Sequence, residues 1–172
     1  MHKTVTFEIL KTFNPCVDAL EWAEKTYKPT ANVKSEVLIK DLMSKKRYEW
    51  ANWLIVRLMD KPQYVAYAIY AAEQVIDIYE KKYPNDVRPR KAIEAAKEYL
   101  KNPSEENKCA AANAARAAAR AAANAAYAAA DAAAYAAADA AADAAYAAAD
   151  AARKKLQIKI LKYGLKLMRE AR

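Results

Sequence analysis

Twelve side chains larger than alanine stand out in the second half of the sequence. They are Asn113, Arg116, Arg120, Asn124, Tyr127, Asp131, Tyr135, Asp139, Asp143, Tyr146, Asp150 and Arg153, and every residue between them is alanine. The steps from one to the next are three or four residues, averaging about 3.6, one turn of α-helix each. All twelve therefore fall on one stripe, which drifts by only about 40° over the tract. Aromatic faces stack on bases and guanidinium groups pair with phosphate, so such a stripe could line a nucleotide groove. In that reading Tyr127, Tyr135 and Tyr146 supply the rings, Arg116 and Arg120 hold the anion, and Asn124, Asp131 and Asp139 lie along the groove. The alternative is a stripe that faces water and keeps an alanine helix soluble. Tyrosine argues against that, because lysine or glutamate would solubilise as well without exposing a ring. A divalent ion on Asp131, Asp139, Asp143 and Asp150 lacks converging ligands from another element.

Two smaller sets carry chemistry as well. Trp50, Trp53 and Arg57 share one helix face, where the first expectation is a core role and the second a ligand contact. Arg88 and Arg90 flank Pro89 at a helix start, where backbone donors and guanidinium groups together favour an anion. What is missing is as informative. His2 is the only histidine and Gly164 the only glycine, which excludes histidine triads, zinc-protease motifs and glycine-rich phosphate loops. Cys16 and Cys109 are too few for a disulfide framework or a zinc site. No metal site and no cofactor is expected.

The elements that must position these residues are helices. A chain of 172 residues with one glycine cannot supply the tight turns of a β-sandwich or barrel. Thr6 is placed to cap a short helix that closes before Asn14-Pro15, and Pro15 suits the first turn of a second. Ser35 is a candidate N-cap, Tyr48 to Met59 has helical spacing, and Tyr64 to Tyr83 reads as one helix. Pro89 opens another, and Ser104 followed by Glu105 and Glu106 opens the next. From Ser104 to Gly164 nothing interrupts the pattern, and one helix over that span would reach about 90 Å. A bend or break is therefore expected. The predicted architecture is all-α: a compact multi-helix bundle in a single domain, residues 1–172. Short Trp- and Tyr-rich helices fill residues 1–103. A long alanine-rich helix or helix pair and a basic C-terminal helix fill residues 104–172.

The formal net charge is +8, of which +7 falls on residues 153–172 and +3 on residues 1–109, while the alanine tract is acidic. A basic balance favours anionic partners without choosing among them. In the tail, Ile158, Leu161, Leu165 and Met168 form one apolar seam, and Leu156, Ile160, Tyr163 and Leu167 a second. Lys155, Lys159, Lys162 and Lys166 lie in the gap. Two seams suit a core helix or a homodimer contact better than a membrane-surface helix, so no membrane partner is expected. The residues from Thr4 to Phe13 lack the apolar core of a signal peptide, which predicts a cytoplasmic location and free thiols.

One family has this order of features. The early Thr6-Phe7-Glu8-Ile9-Leu10, Cys16 with Ala19-Leu20-Glu21-Trp22, and Trp50-Ala51-Asn52-Trp53-Leu54 lead to Val87-Arg88-Pro89-Arg90-Lys91-Ala92-Ile93-Glu94 and then the alanine tract. In these residues the chain resembles the alanine-rich, immunity-protein-five-like family of bacteria and phages. The lysine-rich tail is outside that pattern. The resemblance implies an all-helical, non-enzymatic protein of a conflict system that binds and neutralises a toxin or defence effector. A second function fits the residues: a phage anti-defence sponge that sequesters a cyclic nucleotide or similar anionic signal in the Tyr, Arg and Asp groove. Neither reading calls for long nucleic acid.

Overall fold

The computed structural model describes residues 4–28, 30–107, 109, 113 and 142–170, leaving aside the side chains of Lys82 and of residues 142–148. The regular elements among the described residues are helices apart from one pair of two-residue strands, and the all-α class holds. The chain divides into two compact units, Met1–Asp60 with Gly164–Arg172, and Lys61–Tyr163.

In the first unit, β1 (Thr4–Val5) pairs antiparallel with β2 (Val33–Lys34), Thr4 opposite Lys34 and Val5 opposite Val33. Strands this short carry no readable alternation, so the sequence does not announce them. Helix α1 (Phe7–Thr12) starts as expected, with Thr6 Oγ1 accepting the Ile9 amide at 3.2 Å. It stops at Asn14, whose φ of 53° is a left-handed conformation that asparagine tolerates, and Pro15 follows. Helix α2 (Val17–Thr26) begins two residues later than Pro15 would suggest, because Cys16 is still extended.

Helix α3 (Ser35–Ser44) corrects the expected cap: Lys34, held extended by strand pairing, is the N-cap, and Ser35 is buried in the first turn. Helix α4 (Tyr48–Leu58) packs against α3. The turn between them is a Schellman motif. The Lys46 amide donates to Met43 O at 3.0 Å and the Arg47 amide to Leu42 O at 2.9 Å, with Lys46 left-handed at φ 58°. Leu38, Ile39, Leu42, Leu54, Ile55 and Leu58 are buried in this unit.

In the second unit the expected single helix from Tyr64 to Tyr83 is two, α5 (Lys61–Glu73) and α6 (Ile76–Lys82). No proline or glycine marks the break. The Gln74 side chain donates to Tyr70 O at 3.1 Å, and the Val75 amide turns back to Ala72 O at 3.1 Å, tightening the last turn. Helix α7 (Arg88–Lys101) carries Pro89 in its first turn, as read from the sequence. Val65, Ile69, Ala72 and Ile76 form a core with Ile93, Ala96 and Tyr99 of α7. Ser104 caps the next helical residues, 105–107, its Oγ accepting the Asn107 amide at 3.1 Å.

Helix α8 (Ala142–Glu170) is assigned up to Tyr163 to the second unit and from Gly164 to the first. Tyr163 stacks on Tyr70 of α5, ring centroids 3.9 Å apart and planes 14° from parallel. Arg169 reaches Glu36 of α3 in the first unit, Nε to Oε1 at 2.9 Å. No described helix is long and apolar enough to cross a membrane.

Candidate functional site

The sequence-predicted residues divide into three groups. Arg116, Arg120, Asn124, Tyr127, Asp131, Tyr135 and Asp139 lie outside the described residues, as does any bend in the alanine tract; Tyr146 falls on α8. Arg88 and Arg90 do sit at the start of α7, and the anions beside them belong to the chain itself. Arg88 holds Asp86 through Nε to Oδ1 and Nη2 to Oδ2, both at 2.8 Å, and Tyr79 donates to Asp86 Oδ2 at 2.7 Å. These donors, Arg88 first, hold the Asp86 carboxyl far below the usual carboxylate range. Arg90 pairs with Glu80 at 2.6 Å and with Asp77 at 3.5 Å.

Trp53 and Arg57 lie on a surface that includes more than the sequence linked. The Arg57 guanidinium lies 3.9 Å from the Trp53 ring centroid while its Nη1 donates to Trp53 O at 2.8 Å. Across the same unit, Trp22 of α2 meets Trp50 of α4 with centroids 6.0 Å apart, and its other edge meets Tyr27 at 6.0 Å. Arg47, delivered by the Schellman turn, lies over both tryptophans, 4.1 Å from the Trp50 centroid and 5.8 Å from that of Trp22. Trp22, Trp50 and Trp53, all half-buried, line a shallow, open apolar cleft of about 30 Å³ together with Leu38, Leu42 and Leu54. Tyr27 donates to Asp41 at 2.7 Å, and burial followed by that bond pushes its hydroxyl pKa well up. Sequence reasoning missed Trp22 and Arg47 as partners of Trp50. The i, i+3 spacing of Arg47 and Trp50 was the available signal; the approach of Trp22 is tertiary.

On α8 the expected pattern is present. Leu161, Leu165 and Met168 are buried, and the second seam of Leu156, Ile160, Tyr163 and Leu167 is half-buried. Lys155, Lys159, Lys162 and Lys166 are all exposed. The basic residues around them have partners: Arg153 and Lys154 share Asp150, and Lys166 approaches Glu170 at 3.6 Å. Lys155, Lys159 and Lys162 have no carboxylate at ion-pair distance among the described residues. Nor do the described residues gather three or more His, Cys, Asp or Glu in a group able to hold a metal ion.

The family described as Imm-5 like putative immunity protein has a model that matches residues 55–172, over two thirds of the chain. The chain belongs to that family. No curated protein and no solved structure matches it. The family match begins within α4 and runs through α8. The lysine triad thus lies inside the Imm-5 like region, whereas Trp22, Arg47, Trp50 and Trp53 precede it.

Proposed function

We propose that this protein binds an effector of a bacterial conflict system, a toxin or antiviral defence protein, and neutralises it by direct contact without catalysing a reaction. Membership of an immunity-protein family supports the reading, and one structural observation carries it. Lys155, Lys159 and Lys162 form an exposed row at i, i+4 and i+7 with no compensating carboxylate among the described residues. Like charges three and four residues apart each cost a helix about 0.2–0.5 kcal/mol. A face selected only for solubility would intersperse acidic residues, as Asp150 and Glu170 do on either side of the row. An acidic patch on a partner supplies the missing charge and removes that cost.

The test is co-expression in a bacterial host with the toxins encoded beside the gene. Wild-type protein restores growth against one of them. A variant carrying Lys155→Glu, Lys159→Glu and Lys162→Glu, still folded by thermal melting, does not. Growth restored equally by that variant, or by neither protein against any neighbouring toxin, overturns the reading.

A further inference from the structure

We propose that the tryptophan cleft of the first unit seats a segment of the partner protein that presents an aromatic or aliphatic side chain beside a carboxylate. The inference rests on the neutralisation reading and names a second contact for it, outside the residues matched to the family.

Four observations on one surface support it. Trp22, Trp50 and Trp53 each keep part of a ring accessible, and all three gather around one cleft. Half-buried tryptophan with arginine is the composition of interface hot spots. Secondly, the cleft is open and shallow, enclosing only about 30 Å³, so an apolar side chain lies across the exposed ring faces and a folded element does not enter.

The third observation is charge. Arg47 is exposed, is fixed in place by stacking on Trp50 and Trp22, and has no carboxylate at ion-pair distance among the described residues. A guanidinium already immobilised by stacking loses little further freedom when it pairs with an anion. Its immediate neighbours in sequence, Lys45 and Lys46, are exposed cations, likewise without an ion pair among the described residues. Fourthly, Arg57 over Trp53 adds another cation to the same surface, its Nη1 engaged with Trp53 O. An occupant must therefore offer an apolar group to the cleft and negative charge to its basic edge. An acidic-apolar protein segment does both. A free organic acid carries too few groups to use the whole edge.

The chain has three tryptophans, Trp22, Trp50 and Trp53, so tryptophan emission, excited at the red edge where its tyrosines do not absorb, reports on this cleft. The probe is the acetylated, amidated peptide Glu-Phe-Glu-Leu-Asp, titrated into the full chain. We expect a saturable change in emission. Apparent affinity falls about tenfold or more when the three acids are replaced by their amides, as for loss of charge-assisted hydrogen bonds. It falls as far in Arg47→Ala, checked by its melting curve to be fully folded at the assay temperature, and Arg47→Lys restores part of it. Equal binding of the acidic and amide peptides, or no emission change, overturns the proposal. So does tighter binding of 3-phenylpropionate or of a short single-stranded oligonucleotide than of the peptide. Failure here with effector neutralisation intact removes the cleft and leaves the neutralisation reading standing. Peptide binding without neutralisation of any effector does the reverse.

Discussion

Lys46 occupies the left-handed position of the turn that delivers Arg47, at φ 58°. A side chain there is crowded against the following carbonyl, a cost of about 1–2 kcal/mol that glycine avoids. Lys46→Gly is expected to raise the urea midpoint, by somewhat less than that because the unfolded chain gains freedom. A lower midpoint would mean that the lysine stem contributes packing that outweighs the strain. A second residue-scale prediction concerns pH. Hydrogen bonds from Arg169 first, then Lys40, hold the Glu36 carboxyl down to about 2 from an ordinary 4.5. The folded value is the lower one, so the stabilisation is fully present above pH 4.5 and is lost as pH falls towards 2. Glu36→Gln should therefore narrow the gap between melting temperatures at pH 5 and pH 2.5. The pair is partly exposed, so added salt should shrink the effect further.

Helix α8 separates what its two sides do. The apolar seams set its packing, and Lys155, Lys159 and Lys162 in the gap between them make no ion pair among the described residues. Replacing Lys159 by Glu converts two repulsive neighbours, Lys155 and Lys162, into attractive ones. The melting temperature should rise by a degree or so while effector binding weakens. A substitution that stabilises and disarms together separates a functional surface from a merely solvated one; a gain in stability with binding unchanged would assign the row to solubility alone. Elements of this kind were legible in the sequence because their signals are local. Thr6, Ser104, Pro89 and the seam residues Leu161, Leu165 and Met168 act within one or two turns of themselves. The break at Gln74-Val75 was not legible, since a glutamine side chain taking its own helix's carbonyl leaves no proline or glycine mark. The pairing of Thr4-Val5 with Val33-Lys34 was equally hidden, being two residues long and brought together by tertiary structure.

At the scale of the whole molecule, the candidate contacts belong to different parts of the binding process. The chain carries +8 overall, and exposed lysines such as Lys155, Lys159 and Lys162 act at a distance through screened charge. Such groups govern how fast partners meet. Arg47 and the tryptophans act only at contact, where stacked rings and a desolvated ion pair govern how long partners stay together. Half of this arrangement was readable in advance: the lysine spacing stands in one stretch of sequence, whereas Trp22 and Trp50 meet only when α2 folds onto α4. The kinetic expectation follows from the same division. With an effector identified by growth rescue, neutralising Lys155, Lys159 and Lys162 to glutamine should slow association by roughly tenfold at low salt and scarcely at high salt, with dissociation little changed. Arg47→Ala should leave association nearly as it was and speed dissociation about tenfold or more at either salt concentration. Surface plasmon resonance resolves the two rates. If the lysine variant instead changed only dissociation, and did so at all salt concentrations, the row would be desolvated in the interface and not a solvated rim that steers association.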